Sequence, residues 1–159
     1  HIRDNHDHLY YRRAAVVGLA ANQAIGTAAW TTVTMGAGAN IYLNNGSIWA
    51  AGTPNRITPG VAGKWLVAGG VRFATNATGT RGLRLLWNGA TFQPLNGGND
   101  GIGSGDRIQL TGSREVNIGA TDYVELQVYQ DSGGDLNIID DVGSTLNTGT
   151  WLAAVFLGG

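Results

Sequence analysis

Residues 122–134, DYVELQVYQDSGG, alternate in polarity with a period of two. Val124, Leu126 and Val128 fall on one side of this run, and polar or aromatic side chains fall on the other. This alternation predicts a half-buried strand of an antiparallel sheet, because successive side chains of a strand point to opposite faces. Two adjacent glycines end the run, since glycine tolerates the positive φ values of a tight turn. The segment therefore predicts a β-protein.

Short strand-like segments separated by turn signals continue from residue 27 to residue 159. The longest clear strand is predicted at residues 64–75, and the Asn-Gly pairs at 45–46 and 88–89 predict hairpin turns. No segment with helical periodicity lies between these strands. Such a pattern is typical of an all-β, antiparallel two-sheet sandwich or jelly roll, and we assign residues 27–159 to one domain of this kind.

Residues 1–26 are expected to form an N-terminal anchor. Residues 1–13 contain no glycine or proline and predict a short helix, and residues 14–26 form a small, apolar connector. Ile2 and Leu9 are seven residues apart, as in a coiled-coil heptad. A helix of this length is marginal by itself, so it needs a partner. The partner is either the same helix of another copy or the body of its own domain.

The composition argues against nucleic-acid and membrane partners. The net charge is −1, and charged residues make up 13% of the chain without a basic face. No run approaches the roughly 18 apolar residues that span a bilayer. The sequence has no cysteine, which excludes disulfides and thiol catalysis.

Residues 151–157, WLAAVFL, contain no polar side chain. A strand that is apolar on both faces is covered on both faces. In a two-layer sandwich one face meets the core, and the other is covered by another subunit or by the N-terminal segment of the same chain. The predicted oligomer interface comprises Ile2, Leu9, Trp151, Leu152, Val155, Phe156 and Leu157.

The sequence predicts no catalytic residue, metal site or cofactor. His1, His6 and His8 are the only histidines. His6 and His8 fall on different faces of a helix, so one chain cannot chelate a metal with both; three copies of one histidine on a trimer axis are the alternative. Without a histidine in the β-domain there is no Ser/His/Asp triad. Glu115 and Glu125 are expected to point outwards, not to form a glycosidase pair.

Four segments occur in this order: residues 59–73 (PGVAGKWLVAGGVRF), 83–89 (LRLLWNG), 114–134 (REVNIGATDYVELQVYQDSGG) and 149–159 (GTWLAAVFLGG). Together they resemble the complement C1q-like, tumour-necrosis-factor-type jelly roll. The family's Gly-Asp turn is lengthened here to Gly119-Ala120-Thr121-Asp122. The resemblance implies a compact homotrimer whose inner sheets, including the last strand, face the threefold axis.

Arg3-Asp4-Asn5, within HIRDNHDHL, is similar to a segment of bacteriophage tail and other structural proteins that precedes a β-rich trimeric tip. This resemblance implies a virion structural protein: the homotrimeric tip of a tail fibre, spike or decoration protein. It would attach to other virion proteins through its N-terminal segment and recognise a host surface. The alternatives are a secreted bacterial C1q-like adhesin and a polysaccharide-degrading tip.

Two places are expected to meet host-surface carbohydrate. One is the long polar loop predicted at residues 93–105, because binding residues concentrate on loops. The other is the polar-aromatic side of the strand at 122–134, where rings and amides alternate. Such a strip also suits plain cross-strand pairing on a wet face. The candidate ligand residues are Asn96, Asn99, Asp100, Tyr123 and Tyr129.

Overall fold

The computed structural model describes residues 13–36, 38, 40–95, 108–140 and 149–159, which contain twelve strands and no helix. All but the last residue of the predicted N-terminal helix lies outside these ranges, as do most of the predicted loop and five candidate site residues. These five are Ile2, Leu9, Asn96, Asn99 and Asp100.

Ten of the twelve described strands have eight residues or fewer, as the spacing of the turn signals predicted, and two have ten. In chain order they are β1 (Ala14–Gly18), β2 (Gln23–Ile25), β3 (Thr31–Thr32), β4 (Asn40–Asn45), β5 (Arg56–Ile57), β6 (Gly63–Arg72), β7 (Arg81–Trp87), β8 (Ala90–Leu95), β9 (Gln109–Ile118), β10 (Val124–Gln130), β11 (Leu136–Ile138) and β12 (Trp151–Gly158).

Two five-stranded sheets make up the fold. The first, called the β12 sheet below, has the order β4-β1-β12-β6-β9. The second, called the β10 sheet, has the order β3-β10-β7-β8, with β5 also paired to β10. A separate two-stranded sheet joins β11 to β2. The strand pairs are antiparallel, which confirms the predicted all-β class.

Residues 14–18, assigned from the sequence to a connector, form a strand inside the β12 sheet. Ala15 of β1 pairs with Ala154 of β12 on one side and with Asn44 of β4 on the other. The sandwich therefore includes part of the segment 1–26. The sequence AAVVG lacks polar alternation because most of its side chains are buried, so its period could not be recognised.

The core lies between the facing sides of the two sheets. Trp65 and Val67 of β6 and Leu126 of β10 are all 0% exposed. At Gly69, a Cβ atom would lie 2.7 Å from Cδ1 of Leu126, so the missing side chain lets this leucine approach the β6 backbone. Each fully buried side chain of leucine or valine size contributes about 1.5–3 kcal/mol.

Two turns at one end of the sandwich are tied together by side chains. The β7–β8 hairpin turns at Asn88 and Gly89, with φ values of 50° and 77°, as the Asn-Gly pair predicted. The carboxylate of Asp122 accepts hydrogen bonds from the Gly119 backbone N–H and from Asn88 Nδ2, each at 2.7 Å. The Tyr123 N–H donates to Asn88 Oδ1 at 2.9 Å. The hairpin is thereby fixed to the start of β10.

We expect Asp122→Ala to lower the free energy of unfolding by about 1 kcal/mol at neutral pH, because two hydrogen bonds to a carboxylate are lost. The bond from Asn88, and then the one from Gly119, hold the pKa of Asp122 below its ordinary value. Its stabilising effect is therefore present above the unfolded-state pKa and is lost as the pH falls through the lowered pKa. Urea unfolding of wild type and Asp122→Ala, at neutral pH and in strong acid, measures the difference in the free energy of unfolding.

Asp135→Ala, in the exposed loop after β10, controls for the loss of one negative charge. An Asp122→Ala penalty of equal size at both pH values would contradict a role for the ionised carboxylate.

Candidate functional site

The outer face of the β12 sheet carries an apolar patch. Val155 of β12 lies between Ala14 of β1 and Leu66 of β6, its cross-strand partners. Side chains of successive rows continue the patch along the strand, and Leu157, 42% exposed, follows at its end. The patch comprises Ala14, Val16, Leu66, Ala68, Trp151, Ala153 and Val155.

Polar side chains border the apolar patch on the β9 side. Glu115 pairs with Leu66, and Ser113 pairs with Ala68. At the opposite edge of the sheet lies β4, on which Ile41 is 53% exposed and Tyr42 is 41% exposed. An apolar centre with a polar rim is the usual anatomy of a protein–protein interface.

Leu152 and Phe156, both predicted in the oligomer interface, lie on the inner face of β12. Leu152 is 1% exposed and pairs with Gly69. Phe156 pairs with Trp65, and the two ring centroids are 5.2 Å apart. We therefore assign both residues to the core of their own subunit. Trp151, Val155 and Leu157 remain as interface candidates.

Trp151 has a fixed position at the end of the patch. A Cβ atom at Gly70 would lie 2.5 Å from Trp151 Nε1, so the indole occupies the space that a side chain at position 70 would need. The half-buried ring therefore lies directly against the backbone of β6. Glycine at position 70 permits this contact.

The outer face of the β10 sheet is polar and aromatic. Gln127 of β10 pairs with Thr32 of β3 on one side and with Arg84 of β7 on the other. Its Nε2 donates to Thr32 Oγ1 at 2.9 Å, and its Oε1 accepts from Arg84 Nε at 2.8 Å. Each end of the Gln127 amide is thus hydrogen-bonded. The sequence predicted the outward direction of Gln127 but not these partners.

Trp30 and Tyr129 lie beside this row. Their ring centroids are 5.5 Å apart, and Arg84 Cζ lies 4.2 Å from the centroid of the Trp30 ring. A Cβ atom at Gly82 would lie 2.9 Å from Trp30 Cη2, so the glycine gives the indole room over β7. We call the five side chains Trp30, Thr32, Arg84, Gln127 and Tyr129 the outer-wall cluster.

Glu125 points to the same face but is only 8% exposed. Its Oε1 accepts a hydrogen bond from Asn55 Nδ2 at 2.5 Å. Arg56 pairs with Glu125, and its guanidinium lies 4.7 Å from the centroid of the Tyr123 ring. The predicted ligand residues Tyr123 and Tyr129 therefore have different neighbours: Tyr123 lies by Arg56, and Tyr129 lies by Trp30.

Burial raises the pKa of Glu125, while the Asn55 hydrogen bond and the Arg56 charge oppose this shift. The folded chain then binds the proton more tightly than the unfolded chain. The contribution of Glu125 to the free energy of unfolding is therefore fully present below the ordinary glutamate pKa of 4.5. It is lost as the pH rises through the raised pKa.

We expect Glu125→Gln to be more stable than wild type at neutral pH and to lack this fall, because the amide has no charge to desolvate. Thermal unfolding as a function of pH measures the effect. Glu115→Gln, on exposed β9, tests whether the loss of any one negative charge acts in the same way. A destabilised Glu125→Gln at neutral pH would show that the ionised form is favoured in the fold.

The described ranges contain no group of three or more His, Asp or Glu side chains placed to hold a metal ion. The three histidines lie among residues 1–12, outside those ranges. In the part of the chain that the structure describes, no helix is long and apolar enough to cross a membrane.

Comparisons with known proteins identify the class of fold. No family model matches the chain, and no curated protein matches it. Eiger TNF from S. frugiperda matches with a TM-score of 0.64 and 11% identity over 92% of both chains. Murine APRIL at pH 5.0 matches with a TM-score of 0.61 and 17% identity over 91% of this chain and 100% of its own. The globular domain of zebrafish complement 1qA matches with a TM-score of 0.59 and 11% identity over 91% of this chain and 97% of its own.

The chain therefore has a TNF/C1q-like jelly-roll fold, which confirms that part of the resemblance found in the sequence. Domains of this fold are typically not enzymes, and they usually form homotrimers. Identities this low show the fold alone.

Proposed function

We propose that this chain is a non-enzymatic, homotrimeric attachment domain of a bacteriophage particle, located at the tip of a fibre, spike or decoration protein. The observation that carries the proposal is the apolar patch around Val155 on the outer face of the β12 sheet. A soluble monomer rarely leaves such a contiguous patch uncovered.

Self-association accounts for the patch. Its apolar centre and its polar border on β9 have the composition of a specific interface. On the edge strand β4, Leu43 pairs with Val16 of the patch, so the apolar surface continues onto this strand. A heterologous contact closes into a ring when the rotation between copies permits it, and homotrimers are usual for this fold.

The position of Arg13 supports an anchoring role for the N-terminal segment. The Phe156 N–H donates to the Arg13 carbonyl at 3.0 Å, and Arg13 Nη1 donates to the Pro59 carbonyl at 3.2 Å. Ala14 then pairs with Val155 in the patch. In a trimer closed by this patch, three N-terminal segments would enter the domain near the same interface, which suits a common attachment point.

The virion assignment rests on the resemblance at Arg3-Asp4-Asn5. It is tested by mass spectrometry of purified particles, in which the chain should be present in multiples of three copies. The oligomeric proposal is tested separately by light scattering and by the symmetry of the assembly in electron micrographs. A monomer at all working concentrations would overturn it.

A further inference from the structure

Within the described ranges, a neutral amide holds the Arg84 guanidinium in place. Its Nε donates to Gln127 Oε1, and Gln127 is fixed in turn by Thr32. Among the residues that the structure describes, no carboxylate forms an ion pair with Arg84. Burial alone lowers the pKa of its guanidinium, with no acid acting in the opposite direction. A partly desolvated cation in this state favours an external anion.

The neighbours of Arg84 add a flat, half-exposed aromatic surface. The guanidinium lies 4.2 Å from the Trp30 ring centroid, and Tyr129 lies against Trp30 at 5.5 Å. Tyr, Trp and the Gln127 amide combine apolar faces with hydrogen-bonding groups. Gln127 and Tyr129 lie in the paired strand β10, and Trp30 packs against Gly82 and Tyr129, so little side-chain entropy remains to be lost on binding.

We propose that the outer-wall cluster binds an acidic saccharide, a sugar unit that carries a carboxylate. The carboxylate meets the guanidinium of Arg84, and the sugar ring packs against Tyr129 and Trp30. The proposal deepens the recognition part of the proposed function and does not depend on which surface closes the trimer.

A saccharide fits this wall better than a peptide does. β10 is paired along one side to β7 and along the other to β3 and β5, so much of its backbone is already hydrogen-bonded. Strand addition, the usual way for an extended peptide to bind a sheet, is not available at β10. The cluster offers side-chain rings, an amide and one cation instead.

The test uses the full chain, with oligogalacturonate and α2,8-linked oligosialate as probes. Nuclear magnetic resonance should show shifts at the Arg84 Nε–H, the Trp30 Nε1–H and the Gln127 side-chain amide. Calorimetry should show a loss of affinity of about tenfold or more in Arg84→Gln. Carboxyl-reduced oligogalacturonate, which keeps the ring and lacks the charge, should not bind.

Arg114→Gln, on exposed β9 of the other sheet, is the charge-matched control and should retain binding. If Arg84→Gln fails to fold, the nuclear magnetic resonance titration of wild type still tests whether the saccharide binds at the outer-wall cluster. No shift at the three groups with either acidic probe overturns the proposal, and so does equal binding of the carboxyl-reduced probe. Tighter binding of oligoglutamate than of both saccharides overturns it in favour of an acidic protein partner.

Light scattering on the same samples separates the two proposals. Failure to bind with an intact trimer counts against the saccharide site alone. Binding by a chain that remains monomeric counts against the trimer alone.

Discussion

Trp65→Ala is expected to lower the free energy of unfolding by about 3–5 kcal/mol, the range for removing a buried tryptophan or phenylalanine. Trp65 is 0% exposed, and its ring lies 5.2 Å from that of Phe156. It pairs with Phe156 on one side and with Val116 on the other. Its removal leaves a cavity beneath three adjacent strands. Domains are stable by only about 5–15 kcal/mol, so this loss is a large share of the free energy of unfolding.

Urea unfolding at a fixed protein concentration measures the loss as a lower midpoint with an unchanged slope. Trp65→Phe is the matched control. It keeps an aromatic ring against Phe156 and removes an indole N–H that is buried without a hydrogen-bond acceptor in the described structure. We expect it to cost much less than the alanine variant. Equal losses for the two variants would mean that the indole as a whole, not its apolar bulk, stabilises this site.

Alternation decided how much of the fold was predictable from sequence. Residues 124–130 alternate, and the structure places Val124, Leu126 and Val128 in the core, as predicted. β12 is apolar throughout, so its sequence contains nothing that distinguishes its two faces. The pairing of β12 with β6 and β1 decides which face is which, and this is a tertiary property. It turns Leu152 and Phe156 towards the core and Trp151 and Val155 outwards.

A turn signal was easier to predict than its consequence. Asn45-Gly46-Ser47 does turn the chain, with positive φ at Gly46 and Ser47. The sequence predicted a hairpin in which residues 48–50 return along β4. Instead Trp49 forms a bridge with Ile57, and its backbone N–H and carbonyl are hydrogen-bonded by the Asn44 side chain. A side chain thus satisfies the backbone groups that a returning strand would have used.

The outer-wall cluster was outside the reach of sequence reasoning for a different reason. Tyr129 and Gln127 were correctly placed on the polar side of their strand. Thr32 and Arg84 come from two other strands, and Trp30 directly precedes β3. Gln127 and Thr32 are 95 residues apart and Arg84 and Gln127 are 43 apart, and no local pattern links positions so distant. The signal that could have pointed to them is Gly82 beside Arg84, a glycine inside a strand where another group approaches closely.

Val155→Asp is expected to convert the proposed trimer to a monomer of the chain mass, 16.6 kDa. Val155 lies at the centre of the apolar patch and is only half-buried within its own subunit. The carboxylate can therefore remain hydrated in a monomer, whereas assembly would bury one uncompensated charge per subunit, at a cost of several kcal/mol each. Multi-angle light scattering over a range of concentrations measures the mass.

Val155→Thr and Ala77→Asp are the matched controls for shape and for charge. The first keeps the branched shape at the same position, and the second adds the same charge in the exposed β6–β7 turn. Both should remain trimeric, and circular dichroism of Val155→Asp should retain the β-sheet signal. A trimeric Val155→Asp would exclude the patch from the interface, because three carboxylates cannot be buried there without partners. The outward position of Val155 in β12 predicts that the monomer stays folded. A monomer that has lost its β-sheet signal would instead show that Val155 stabilises the subunit itself.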